Sequence, residues 1–281
     1  PCKMTLGEWL DIWADTYLTG VKPRTVKIYK DDIRLHIKPY LAAIKLDELD
    51  THTVQQYFNT LLTNGKKVRK KGDDGKIVYE TAPLSAKTVK NIQGVLHGAL
   101  RQAVINRYIP LNPADGDFCK LPKVKRQEIK PLDETQITAF LDAIHGNPFE
   151  DLIVTLFTGL RQGEVLGLCW SCVDFENNVL TINKQMQLHQ EQGMKAYQLV
   201  ATKNSKARTI TVAPFVMEHL KRRKVEQAKQ RLFAGALWQQ NELVFTDQLG
   251  NHLTKPTIYR AFKKAAASIG RPDARFHDLR H

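Results

Sequence analysis

The chain has 281 residues, long for one domain and comfortable for two, and its 42% hydrophobic and 25% charged content supports sizeable cores. Lysine plus arginine outnumber aspartate plus glutamate by 42 to 29, giving a net charge of +13 and a pI near 9.5. That balance favours a polyanionic partner, nucleic acid before any other, and the absence of an apolar run near the roughly 20 residues of a membrane span argues against a membrane partner.

The opening Pro1-Cys2-Lys3 reads as an internal cut, with no signal-peptide pattern. Leu6, Trp9, Leu10, Trp13 and Tyr17 recur at helical spacing and predict a first helix with one apolar face. Lys22-Pro23-Arg24-Thr25 opens a second helix running to about Ile37, since proline suits a first turn. A third is expected from Thr51 to Leu62 with Thr51 or Thr53 as its cap, and a fourth from Ser85 to Asn106. Between these two, runs of basic and β-branched residues flank Gly72-Asp73-Asp74-Gly75. They predict a hairpin insertion over 66–81, with a disordered basic loop as the alternative.

Residues 113–131, with three prolines and Lys120, Lys123, Lys125 and Arg126, read as a basic linker between a helical domain (1–112) and a second domain (132–281). In the latter, a capped helix is expected at Asp133–Ile144 and further helices at 214–233 and 255–269, while Leu152 to Phe157 leads into the first arginine. Strand-like alternation marks 179–188, 197–202 and 207–212. The expected class is therefore an α-helical domain plus a mixed α/β domain, mainly helical with a small antiparallel sheet. Cys169 and Cys172 form a C-x-x-C pair, but no second pair or suitably spaced histidines accompany it, so a reduced protein without a metal is expected.

The chemistry concentrates in two places. Thr158-Gly159-Leu160-Arg161-Gln162-Gly163-Glu164 sets an arginine in a glycine-rich turn beside a carboxylate. His277-Asp278-Leu279-Arg280-His281 supplies a histidine and an arginine three apart, on one face of a helix. Guanidinium groups offer forked donors to the oxygens of a phosphodiester, and a nearby histidine can give a proton or hydrogen bond as charge builds. No acidic cluster suits magnesium, so neither metal nor cofactor is expected.

Three motifs in order, TGLRQGEVLGLCW (158–170), TKNSKARTI (202–210) and HDLRH (277–281), make the chain resemble the tyrosine recombinases of the phage-integrase family, especially integrases of conjugative transposons. The likeness spans nearly the whole length. It implies a core-binding domain, a linker and a catalytic domain, the last incomplete at its C-terminus. By the resemblance Arg161 and Arg280 clamp the scissile phosphate, His277 assists the transfer, and Lys203 protonates the leaving 5′-oxygen. Lys206 is its near competitor for that role. Glu164 and His281 support the site, and Arg208 contacts the DNA backbone.

The family's nucleophilic tyrosine follows HxxR, whereas all eight tyrosines here precede His277. The 281 residues are therefore expected to bind DNA without cutting it. Further DNA contacts are expected from Arg24, Thr25, Lys27, Lys30, Lys67, Arg69, Lys70, Lys87, Lys90, Lys123, Lys125 and Arg126; each is also readable as a solvated surface group. Gln185–Gln198 extends the sheet before Lys203 and is expected either to reach DNA or a neighbouring subunit, or to face solvent.

The implied partners are double-stranded DNA, further copies of the chain (a dimer per site, a tetramer in synapsis) and an excision factor. The implied location is the bacterial cytoplasm, at the nucleoid. A type IB topoisomerase and a non-catalytic architectural DNA-binding protein are the rival readings. RNA binding gains nothing beyond positive charge.

Overall fold

The computed structural model describes residues 3–71, 75–124, 128, 130–191, 194–202 and 207–280, with the backbone alone at 189–191, 194, 195, 277 and 280. By internal contacts the chain forms two units, Pro1–Gln127 and Glu128–His281.

In the first unit, α1 (Leu6–Thr16) starts in a reciprocal cap. The Thr5 hydroxyl accepts from the Glu8 N–H, and the Glu8 carboxylate accepts from the Thr5 N–H at 2.8 Å. The apolar stripe turns inward, and the indole of Trp9 donates to the Ala99 carbonyl at 2.9 Å. This bond ties α1 to the long α5 (Ala86–Ile105), which is capped by Ser85.

The second helix differs from its expected single run. It begins as α2 (Pro23–Asp32), widens into a π turn over Ile33–Ile37, and resumes as α3 (Lys38–Leu41). Pro39 supplies the reason, since it has no N–H for the Leu35 carbonyl and its ring would strike that group. The preceding Lys38 N–H reaches back five residues to Ile33 instead, leaving Ile33 and Ile37 both buried.

α4 (Thr51–Asn64) is capped by Asp50, which accepts from the Thr53 N–H at 2.7 Å, one residue before the earliest cap expected from the sequence. The basic insertion pairs as an antiparallel hairpin of β1 (Lys66–Lys71) and β2 (Ile77–Ala82). A linker expected from residue 113 begins later. Ala114 and Cys119 are buried in the first unit's core, Gln93 donates to the Ala114 carbonyl, and Gln55 exchanges hydrogen bonds with the Lys120 backbone. The prolines that signal a linker also suit an extended segment laid over a helical core.

The second unit opens with α6 (Glu134–Ile144), capped reciprocally by Asp133 and Gln136, then α7 (Glu150–Leu156) and α8 (Gln162–Leu166). The strand expected over 179–188 breaks at Asn183. β4 (Val179–Ile182) lies between β3 (Val173–Asp174) and β7 (Arg208–Thr211) in a three-stranded antiparallel sheet. β5 (Lys184–Glu191) departs to pair with β6 (Met194–Ala201) as a separate hairpin. It departs because it lies directly on the end of α8, where a Cβ at Gly167 would come within 2.7 Å of the Met186 nitrogen.

α9 (Pro214–Ala234), α10 (Lys255–Ser268) and a terminal 3₁₀ helix (Phe276–Arg280) complete this unit. Phe140, Ile153, Leu160, Val165, Phe262 and Leu279 share its core. Arg223 is only 8% exposed, and its guanidinium is satisfied by the carbonyls of Val244 and Thr246 and the Thr246 hydroxyl. It stitches α9 to the 243–246 segment.

Candidate active site

Arg161 stands immediately before α8, where the chain leaves a turn through Gly159 at φ +81°, a left-handed conformation glycine takes without strain. Gly163 admits β5, whose Met186 carbonyl would sit 3.1 Å from an added Cβ. One turn into α8, Glu164 is buried, and its carboxylate gathers three groups.

The Arg161 N–H donates to Glu164 Oε2 at 2.9 Å and Arg161 Nη1 donates to Oε1 at 2.8 Å. From β7, Arg208 grips the same carboxylate with both Nη atoms, at 3.0 and 2.6 Å. Burial alone would raise the Glu164 carboxyl. The hydrogen bonds from Arg208 and from the Arg161 backbone and side chain overrule it and hold the pKa at about 2.

The result is a fixed trio of two cations and one anion with a net positive charge. Glu164 is 1% exposed, whereas the Arg161 side chain remains 48% exposed. Among the described residues, Nε and Nη2 of Arg161 have no partner. A guanidinium braced on one edge and open on the other is suited to an anionic oxygen pair.

Arg208 was expected on the DNA backbone. The structure instead engages its fork with Glu164, so its first role is to hold the carboxylate that holds Arg161. Strand phase carried that signal: Arg208 is two residues from Ile210, which packs against the core, so both share the inward face of β7.

The terminal 3₁₀ helix carries His277 and Arg280 and packs, like α8, against α7. Its start is set by Asp278, a buried residue whose carboxylate accepts the Arg275 N–H at 2.8 Å. Lys263 reinforces the approach by donating to the carbonyls of Pro272 and Ala274. The His277 and Arg280 side chains lie outside the described residues, as do Lys203, Lys206, Lys125, Arg126 and His281. The chain flanking Lys203 is described. Thr202 is buried after β6, and Arg208, at the start of β7, is tied to Glu164.

A second charge cluster escaped the sequence reading. Asp151 on α7 meets His219 and Arg222 on α9, with His219 Nδ1 at 2.8 Å from both Asp151 Oδ1 and Arg222 Nη2. Glu150 lies 3.1 Å from Arg222. Its residues are 68 or more positions apart across the two helices, with no motif to join them in sequence.

The expected DNA contacts divide sharply. Lys27 pairs with Asp31, Lys30 with Asp15 at 2.7 Å, and Lys70 with Glu80, each at the surface. These are exposed pairs, weak in water, with the acidic residues supplied by α1, α2 and β2. Arg24, Lys67, Arg69, Lys87, Lys90 and Lys123 are exposed with no ion pair among the described residues, while Thr25 is half-buried and its N–H bonds the Lys22 carbonyl. Cys169 and Cys172 are free thiols, and burial pushes the Cys169 pKa up, away from the thiolate that redox or metal chemistry needs. Among the described residues no His, Cys, Asp and Glu group could hold a metal, and no helix is long and apolar enough to cross a membrane.

An arginine braced by a buried carboxylate and a His-x-x-Arg helix pack on the same core, in the order the tyrosine-recombinase resemblance leads one to expect. The chain belongs to the phage integrase family, the tyrosine recombinases. That family's model matches residues 130–281, over half the chain, and the phage integrase N-terminal SAM-like domain matches residues 5–62. A XerC-like tyrosine recombinase of Caldanaerobacter subterraneus subsp. tengcongensis is 29% identical over 99% of this chain and 71% of its own length. The Tn1549 transposon integrase, solved in complex with transposon right end DNA, superposes with a TM-score of 0.75 at 22% identity, covering 99% of this chain and 84% of that one. Lambda integrase, solved as a tetramer bound to a Holliday junction, gives 0.62 at 19% identity, covering 99% and 71%. At these identities the solved structures speak to the fold alone. That fold is a helical core-binding domain followed by a mixed α/β catalytic domain.

Proposed function

We propose that this chain is the DNA-binding and phosphate-activating part of a site-specific recombinase that integrates and excises a mobile element of the conjugative-transposon kind. The observation that carries the reading is Arg161, braced on Glu164 and open to solvent on its other edge. In this reading Arg161 and Arg280 hold two oxygens of the scissile phosphate. A tyrosine hydroxyl attacks the phosphorus and forms a 3′-phosphotyrosine bond. The 5′-oxygen leaves, taking a proton from Lys203, and His277 hydrogen-bonds the phosphate as its charge grows. His281 supports this arrangement.

All eight tyrosines precede His277, and none of them is assigned the role of nucleophile. Arg24, Thr25, Lys87, Lys90, Lys123, Lys125 and Arg126 contact phosphates and set register, not sequence choice. Two copies occupy each site and four assemble in synapsis, with an excision factor biasing direction. The protein works in the bacterial cytoplasm, at the nucleoid.

A nicked suicide substrate tests this, incubated with the full product of the gene, with residues 1–281 and with Arg161→Ala. A covalent adduct at a 3′-phosphate, formed by the full product alone and lost in Arg161→Ala, is expected on a denaturing gel. Supercoil relaxation without exchange between sites would mark a type IB topoisomerase instead. Tight binding with no adduct would mark an architectural DNA-binding protein.

A further inference from the structure

The β1–β2 hairpin has two faces of different chemistry. Directly opposed residues in an antiparallel pair point to the same side, and the side alternates along the strand. The pairs Lys67↔Thr81, Arg69↔Tyr79 and Lys71↔Ile77 therefore make one face. Lys66↔Ala82, Val68↔Glu80 and Lys70↔Val78 make the other. The second face holds the hairpin's Lys70–Glu80 ion pair and its two half-buried residues, Val68 and Ala82.

The first face has three cations, no acid among them and no ion pair among the described residues. Beside them stand Tyr79, 67% exposed, and Ile77, 49% exposed. Among the described residues the hairpin's side-chain hydrogen bond to the helices is at its base, where Thr81 bonds Asn64, and a two-stranded hairpin is marginal by itself.

We infer that the Lys67/Arg69/Lys71/Tyr79 face is seated in the major groove of double-stranded DNA. It rests on the proposed function and adds to it which surface of the core-binding domain enters the duplex. Four residues of strand carry Lys67 about 13 Å from Lys71. The major groove is about 12 Å wide and admits a two-stranded β ribbon. The two lysines thus reach phosphates on opposite walls, while Arg69 and Tyr79, paired midway, face the base edges. Exposed Tyr79 and Ile77 gain an apolar contact, such as a thymine methyl, that water does not offer. Lys70, answered by Glu80 on the opposite face, is excluded from the contact.

The test is a comparison of two variants that each remove two charges. Lys67→Gln/Lys71→Gln alters the proposed face, and Lys66→Gln/Lys70→Gln alters the opposite one, both in the full product of the gene. Binding to a duplex carrying its site is measured across a salt series, with circular dichroism and thermal melts confirming that the domains are intact.

Each lost phosphate contact lowers the slope of log K against log salt by about 0.9, so the first variant is expected to lose about 1.8 and the second less than a third of that. Arg69→Ala/Tyr79→Ala is expected to keep most of the slope and to reduce the preference for site over random DNA about tenfold. Equal losses from the two faces would overturn the inference, showing diffuse attraction only. Unchanged DNA binding in Lys67→Gln/Lys71→Gln would also overturn it and leave the face to a protein partner. Adduct formation by the unaltered protein is read separately, so a wild type that binds its site without forming an adduct fails the proposed function and not the groove assignment.

Discussion

Two clusters in the second unit are made from the same groups and do opposite things. Around α8, one carboxylate is shared by two guanidiniums, Arg161 and Arg208, leaving a net positive charge. Between α7 and α9, two carboxylates, Glu150 and Asp151, share Arg222, leaving a net negative charge when His219 is neutral. Both fasten separate elements together. The first has a half-exposed guanidinium edge left over for an anion; the second repels one. Stoichiometry, more than the presence of arginine, separates a phosphate site from a structural clasp.

The largest effect is expected at the carboxylate of the first cluster. Glu164→Gln keeps the shape and removes the charge that two guanidiniums share. Breaking a buried pair from one side costs about 3 kcal/mol, toward the low end of such losses because both arginines are partly solvated. Urea denaturation measures it. Arg161, no longer braced, loses its single pose, and adduct formation is expected to fall on the order of a hundredfold, with DNA affinity changed by less than about threefold.

The same residue predicts an acid limb. Its pKa is held at about 2 against an ordinary 4.5, so in the folded state it remains ionised where the unfolded chain takes up a proton. The stabilisation is complete above about 4.5 and is lost as pH falls through that window toward 2, for a total of about 3 kcal/mol. Glu164→Gln should lack that share of the acid limb. Superimposable acid denaturation of the two proteins would remove Glu164 as its source.

A smaller change is expected at Arg208, and it separates the role read from the sequence from the role seen in the fold. Arg208→Ala leaves Arg161 on Glu164 but strips a two-pronged grip, costing about 1.5 kcal/mol. Single-turnover cleavage is expected to slow about tenfold with the binding constant unchanged, and Arg208→Lys to recover only part, since an ammonium cannot reproduce the fork. If affinity for DNA fell in step with cleavage, Arg208 would be the phosphate contact its position in TKNSKARTI first suggested.

How far the sequence reaches depends on whether a feature is local. Helix faces such as Leu6–Trp9–Leu10–Trp13, the Asp133 cap and the Arg161–Glu164 pairing are set within a few residues and were legible. The π turn was written at Pro39, though a periodic pattern alone reads through it. Arg208 on Glu164 spans 44 positions, and its only trace was strand phase. The buried ends of Ala114 and Cys119 were hidden because repeated prolines signal a linker whether or not the segment lies on a core. Cation counts miss partners for the same reason. Lys30 pairs with Asp15 from another helix, a pairing that charge runs in one helix cannot reveal.

The smallest effect is expected from the clasp. The Arg222 side chain is 50% exposed, and exposed ion pairs contribute little after solvent screening and side-chain ordering. Arg222→Ala is expected to cost under about 1 kcal/mol, less still in high salt, and to leave adduct formation unchanged. The comparison has a sharp edge here because α7 belongs to both neighbourhoods: it carries Glu150 and Asp151, and it packs against α8 and the terminal 3₁₀ helix. Should Arg222→Ala slow cleavage severalfold while stability barely moves, the clasp would be setting the position of α7, and through it the spacing of Arg161 from the His277–Arg280 helix.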